Sequence, residues 1–351
     1  MLEFYCMVRM KTIDAHAAGE PLRLIVEGFP SPRGRTMLDK REWAKRHADH
    51  LRRAAMLEPR GHADMYGAIL TEPVAPGSHA GVLFMHNEGY STMCGHGVVA
   101  VTTIALERGL LMPGGDGCSI VYDSPAGTIR ARARWAGRPG RAGDAGRHTE
   151  QGGKVESVAF VNVPSFVLHA GLGVKLASRQ IRADIAFGGA FYAIVDSEAV
   201  GLPIDVSHLP ELRRVGMDIK HAIEATHAIT HPLDPALGGI YGTIFTGPPI
   251  DDRADLRNVT IFADAEVDRS PCGTGTCAVM AVLDAMGLLG ADKPFVHESL
   301  IGTRFTGRVA TRSTVGDLEA IVPEIEGSAW ITGEHTFIID ESDPLKEGFR
   351  I

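Results

Sequence analysis

Cys94-Gly-His-Gly-Val-Val-Ala-Val101 runs into Ala105-Leu-Glu-Arg-Gly-Leu-Leu111, and Cys272-Gly-Thr-Gly-Thr-Cys-Ala-Val279 runs into Leu283-Asp-Ala-Met-Gly-Leu-Leu289. Both stretches hold a cysteine, two glycines two residues apart and an Ala-Val pair in one register, and Gly109 and Gly287 each stand 15 residues beyond their cysteine. The separation of 178 residues is half of a 351-residue chain, so the economical reading is two homologous halves, each contributing one thiol. Residues 98–108 and 276–286 are mainly Val, Ala, Ile, Leu and Met. A helix apolar on almost every side belongs inside a layer or barrel, and Gly109 and Gly287 suit left-handed caps at the helix ends. Each cysteine then stands just before or within the first turn of a buried helix. Backbone N–H groups there have no intrahelical partner and can bind a carboxylate or favour a thiolate.

Working outward, short Val-, Ile- and Phe-rich runs bounded by Gly or Pro predict strands at 3–13, 22–27, 65–72, 80–86, 117–121, 127–134, 155–161 and 164–168. The second set lies at 183–186, 190–196, 220–229, 240–246, 257–263, 303–313, 317–323 and 328–339. Many strands per long helix favour an α+β plan over a βαβ array. Asp39 to Met56, rich in Lys, Arg, Glu and His, predicts an exposed amphipathic helix with a solvated polar face. Residues 136–154, with six glycines, read as a mobile surface loop, and the join between halves falls near Leu172 to Ile181. The expected domains are therefore 1–180 carrying Cys94 and 181–339 carrying Cys272, with the tail 340–351 available to rejoin the first. A crevice between them is the natural small-molecule site.

With 44% apolar and 22% charged residues the chain can bury a substantial core, and its net charge of −8 argues against a strong nonspecific hold on nucleic acid. The first residues lack a basic segment followed by a long apolar run, and no stretch reaches the length of a membrane span. Cytoplasmic residence is the default expectation, with no membrane partner. Five cysteines are too sparse for a secreted disulfide scaffold, so reduced thiols are expected.

Cys94 and Cys272 become useful together if both helix starts face one cavity. One thiolate removes a proton from one face of a carbon while the other thiol returns a proton to the opposite face, inverting that centre. The N–H groups of Gly95, His96, Gly273 and Thr274 could hold a carboxylate and the charge that develops from it. His96 could tune Cys94 or bind substrate; Asp268 could receive a substrate ammonium or cap the helix. Cys6, Cys118 and Cys277 read as inert core thiols. A metal held by Cys94-x-His96 with Cys272-x4-Cys277 is the rival, but it lacks the paired close spacing of structural zinc. No dinucleotide-binding, Walker or nucleophile-elbow pattern is present, so the expectation is chemistry without metal or cofactor.

Met93-Cys-Gly-His-Gly97 and Asp268-Arg-Ser-Pro-Cys-Gly-Thr-Gly275 resemble the paired signatures of the proline racemase and hydroxyproline epimerase family. Asp14-x-His16-x-x-Gly-Glu-Pro21, Asp184-Ile-Ala-Phe-Gly-Gly189, Ile240-Tyr-Gly-Thr243, Gly302-x-x-Phe-Thr-Gly307 and Ser328-Ala-Trp-Ile-Thr-Gly333 extend the likeness through nearly the whole chain. The resemblance implies a diaminopimelate-epimerase-like α+β fold: two pseudo-symmetric domains, each a curved, mostly antiparallel sheet or barrel around a central helix. It further implies Cys94 and Cys272 as the acid/base pair, with Gly95, His96, Asp268, Gly273 and Thr274 binding the carboxylate and ring nitrogen of a small imino acid. A homodimer is the default assembly. The leading expectation is a cofactor-independent 4-hydroxyproline 2-epimerase. Proline racemase, a 3-hydroxyproline epimerase and trans-3-hydroxy-L-proline dehydratase follow, with a non-catalytic imino-acid-binding protein as the alternative of another class. Relatives that dehydrate generally carry Thr in place of Cys272, so two thiols favour epimerisation.

Overall fold

The computed structural model describes residues 7–113, 115, 117–136, 153–177, 179–290 and 293–350. Cys6 and most of the 136–154 loop lie outside the described residues. Two compact units form: 1–93 with 97–158 and 328–351, and 94–96 with 159–327.

The first unit opens with β1 (Met7–Ala17) and β2 (Glu20–Glu27), continues through helices α1 (Met37–His47) and α2 (Asp49–Met56), and returns to β3 (Tyr66–Thr71) and β4 (Ala80–His86). Helix α3 (Gly95–Glu107) and strands β5 (Ser119–Ser124), β6 (Gly127–Trp135) and β7 (Val155–Val161) follow. The second unit contains β8 (Ser165–Lys175), β9 (Gln180–Phe187), β10 (Phe191–Asp196), the short α4 (Ser197–Val200) and α5 (Leu209–Glu224). Strands β11 (Ile240–Gly247), β12 (Leu256–Phe262) and β13 (Glu266–Asp268), then α6 (Gly273–Ala285), β14 (Phe295–Glu298), β15 (Arg304–Val315) and β16 (Leu318–Gly327), complete it. Strand β17 (Ala329–Asp340) then rejoins the first unit, pairing antiparallel with β1.

Pairing sense exposes the duplication. In the first unit β17–β1 and β1–β2 are antiparallel, β2–β3 parallel, β3–β4 antiparallel, β4–β5 parallel and β5–β6 antiparallel. In the second, β8–β9–β10–β11–β12–β14–β15 repeats that succession step for step. Each unit inserts its buried helix at the same point, ahead of its second parallel pairing. Strand β16 pairs with both β15 and β8, so β8–β12 and β14–β16 of the second unit close into a ring of eight strands. Helix α6 packs against β8, β9, β10, β15 and β16, and every residue from Gly273 to Val282 is buried. Its all-round apolar sequence has no other home. The α+β, pseudo-symmetric architecture expected from the repeat is the one observed.

Both buried helices also end alike. Leu110 N–H bonds the Ala105 carbonyl at 2.8 Å and Leu288 N–H bonds the Leu283 carbonyl at 2.8 Å, with Gly109 at φ +63° and Gly287 at φ +70°. These are two copies of one left-handed cap, in which glycine avoids the cost a Cβ would incur.

Three expectations are corrected. The run 220–229 is no strand: Lys220 to Glu224 is the last part of α5, whose buried Leu212, Val215, Gly216, Ile219 and Ile223 follow helical spacing behind a Pro in the first turn. The helix expected over 39–56 is two helices, broken at Ala48, whose backbone leaves helical geometry (φ −135°, ψ 11°). Their polar face is also not simply solvated. Lys40 and Arg52 are buried, Lys40 donating to the Glu72 carbonyl, and Arg52 to Asp49 and to the His86 carbonyl at 2.8 Å. Leu172–Lys175 and Gln180–Ile181, where the sequence suggests the join, are the paired ends of β8 and β9 within the second unit. No helix among the described residues is long and apolar enough to cross a membrane.

Candidate active site

Residues 94–96 group with the second unit, which brings the start of α3 to the start of α6. A Cβ at Gly95 would lie 2.5 Å from the Cα of Gly273, and a Cβ at Gly273 would lie 2.5 Å from the Cα of Gly95. Only glycine at both positions permits this approach, since real Cβ atoms do not come so near a backbone atom. Successive Cα atoms are about 3.8 Å apart, so the Cα atoms of Cys94 and Cys272 lie within about 12 Å of one another. Cys94 and Cys272 are both buried.

Cys272 caps α6 with φ +61° and ψ +103°, a left-handed backbone that costs a non-glycine residue about 1–3 kcal/mol. A hydrogen-bonded turn enforces it. Asp268 Oδ1 accepts from the Ser270 N–H at 2.8 Å and the Ser270 hydroxyl at 2.7 Å, and Ser270 Oγ accepts from the Cys272 N–H at 3.1 Å. Behind the turn, the Pro271 carbonyl accepts from Asn258 Nδ2 at 2.8 Å and Thr276 Oγ1 at 3.0 Å. His297 completes this layer, its Nδ1 lying 2.9 Å from Thr276 Oγ1. Burial lowers the His297 pKa to about 3, so its ring is neutral.

The two thiols have unlike surroundings. Cys94 Sγ lies 3.2 Å from His96 Nδ1, and that nitrogen faces Asp268 Oδ2 at 3.9 Å. Cys272 Sγ instead faces the hydroxyls of Tyr192 at 3.7 Å and Thr274 at 3.9 Å, which bond each other at 2.6 Å. Burial pushes the Cys272 thiol well above its ordinary value and Asp268 adds to the rise; the Tyr192 hydroxyl, the Gly275 N–H and the Thr274 hydroxyl oppose it. The helix start is expected to favour a thiolate, and at Cys272 desolvation outweighs it. Burial likewise raises Asp268 to about 6 against the bonds from Ser270.

The seven candidate residues Cys94, Gly95, His96, Asp268, Cys272, Gly273 and Thr274 thus all fall in one unit, linked by these contacts. Ser270, Tyr192 and the Asn258–His297–Thr276 layer were not singled out by sequence. Ser270 lies inside the Asp268–Gly275 run and could have been found by asking what holds the turn; Tyr192 carries no local signal. Cys277 is fully buried in α6 and its thiol is pushed up to about 12, also by burial. Among the described residues no three His, Cys, Asp or Glu side chains converge as metal ligands. Chemically, the assembly offers two thiols, the backbone N–H groups of two helix starts, and a carboxylate able to face a cation.

The pseudo-symmetric α+β fold is of the diaminopimelate-epimerase and proline-racemase-like class, and comparison with known proteins narrows it. Residues 12–350 match the proline racemase family, and the chain belongs to it. It is an enzyme of the proline racemase and hydroxyproline epimerase superfamily. It is 48% identical over 340 residues to a trans-3-hydroxy-L-proline dehydratase of Bacillus cereus, covering 97% of each chain. It is 44% identical to a 3-hydroxyproline 2-epimerase of Burkholderia multivorans, covering 97% of this chain and 98% of that one. A hydroxyproline epimerase from Agrobacterium vitis with bound trans-4-hydroxy-L-proline superposes with a TM-score of 0.86 at 30% identity, covering 98% and 96%.

Proposed function

We propose that the protein inverts C2 of a hydroxyproline by proton transfer between Cys94 and Cys272. The single observation that supports this reading is the close approach of Gly95 to Gly273, the residues that directly follow Cys94 and Cys272. In this account a thiolate takes the C2 proton, and the other thiol delivers a proton to the opposite face. Each cysteine is base for one epimer and acid for the other. N–H groups of Gly95, His96, Gly273 and Thr274 hold the carboxylate and the charge it gains as C2 is deprotonated. Ionised Asp268 holds the ring ammonium, and His96 faces both Asp268 and Cys94.

For the substrate, the relatives at 48% and 44% identity are named for 3-hydroxyproline, whereas a neighbour holding 4-hydroxyproline is 30% identical. A 3-hydroxylated ring is therefore put ahead of the 4-hydroxylated one that the sequence alone favours. A second reading, dehydration, has a specific support: the 48% identical relative is a dehydratase. Both reactions begin by removing the C2 proton. A hydroxyl at C3 lies β to the resulting carbanion and can leave as water once protonated; a hydroxyl at C4 cannot leave by that step. Two thiols favour returning the proton to C2. The test is incubation with trans-3-hydroxy-L-proline, trans-4-hydroxy-L-proline and L-proline, followed by chiral chromatography and assay of the cyclic imine formed by water loss. The C2 epimer of the 3-hydroxy compound is the expected main product; imine as the main product would replace this reading with dehydration.

A further inference from the structure

Tyr192 lies on β10 with its hydroxyl 2.6 Å from Thr274 Oγ1 and 3.7 Å from Cys272 Sγ. It is fully buried, and its ring meets Tyr241 edge-on at 5.9 Å. We propose that Tyr192 is a positioning residue for Cys272, its hydroxyl donating to the sulfur while Cys272 carries charge and accepting in turn from the Thr274 hydroxyl. This rests on the reading of Cys272 as an acid/base group.

The geometry requires a donor there. Asp268, on β13, is the acidic neighbour of Cys272 and disfavours its thiolate; Tyr241, on β11, meets the Tyr192 ring edge-on; and His96 faces Asp268 at 3.9 Å. Tyr192 and Thr274 supply side-chain hydroxyls toward Cys272, and of the two Tyr192 is nearer. Burial raises the Tyr192 pKa well above the ordinary phenol value, with Cys272 and Tyr241 adding to it, so the phenol keeps its proton and stays a donor wherever the enzyme works. Cys94 has an imidazole within 3.2 Å where Cys272 has this hydroxyl pair, so each sulfur has its own hydrogen-bonding neighbour.

The test is Tyr192→Phe, which keeps the buried ring. The pH dependence of alkylation by iodoacetamide, read separately at Cys94 and Cys272 by mass spectrometry, gives each thiol's titration. Loss of a hydrogen bond to a charged acceptor predicts a rise of about one pH unit at Cys272 with Cys94 unmoved. It also predicts a drop of about tenfold in kcat/KM, equal in both directions because the equilibrium between epimers is fixed. An unmoved Cys272 titration, or unchanged kcat/KM in a wild type that does interconvert epimers, overturns the proposal. If Tyr192→Phe does not fold, 3,5-difluorotyrosine at position 192 strengthens the donor and must move the Cys272 titration downward. Absence of exchange or inversion in the wild type would sink the function instead, while the alkylation profile would still report on Tyr192.

Discussion

The backbones of Gly95 and Gly273 touch: neither position has room for a single methyl group. Alanine at either one forces the starts of α3 and α6 apart, or bends them, at a cost of about 1–3 kcal/mol from overpacking. We expect Gly95→Ala and Gly273→Ala to remain folded with a lowered Tm, while interconversion falls at least a hundredfold. Wild-type kcat in either variant would show that the contact has no part in setting the thiols.

Cys94→Ser and Cys272→Ser should each reduce interconversion by about a thousandfold or more, because a hydroxyl does not ionise in the range where a thiol can. Circular dichroism and Tm should stay close to wild type. Full activity in either variant would remove that cysteine from the mechanism.

Cys272→Thr separates inversion from elimination. It removes the group that returns the proton to C2 but leaves Cys94 to take one, so epimer formation should collapse while water loss from trans-3-hydroxy-L-proline persists or emerges. Imine assay and chiral chromatography on the same samples decide it, and retained inversion would count against the two-thiol account.

Two buried groups give opposite pH signatures. Asp268 is raised from 3.8 to about 6, so the native state holds its proton more tightly. The stability this contributes is fully present below pH 3.8 and is lost as pH rises through 6, by at most about 3 kcal/mol. Asp268→Asn should therefore gain on the wild type in urea titrations between pH 4 and pH 7, at the expense of kcat/KM. His297 is lowered from 6.5 to about 3, so stability present above 6.5 is lost as pH falls toward 3, by up to about 5 kcal/mol. His297→Gln should lower the pH of acid unfolding; an unchanged midpoint would mean that another group sets it.

Much of this was legible in the sequence because a duplication repeats its punctuation. Cys94 and Cys272, the paired glycines behind them, and the caps at Gly109 and Gly287 fixed the position and burial of both central helices. What escaped was set by long-range packing. The run 220–229 is too short to show the helical spacing of Leu212, Val215, Ile219 and Ile223, which emerges only over the whole of α5. Lys40 and Arg52 looked solvated because their carbonyl partners lie more than 30 residues away in sequence. Tyr192 reaches Cys272 across 80 residues, a distance at which no local pattern speaks.

The most direct test of the central claim follows one turnover of 3-hydroxyproline in heavy water by NMR and mass spectrometry. Two facing thiols predict that the first inverted product carries one deuterium at C2 while the remaining substrate keeps its original proton. Inverted product that retains the original proton, or substrate that exchanges at C2 without inverting, would contradict it.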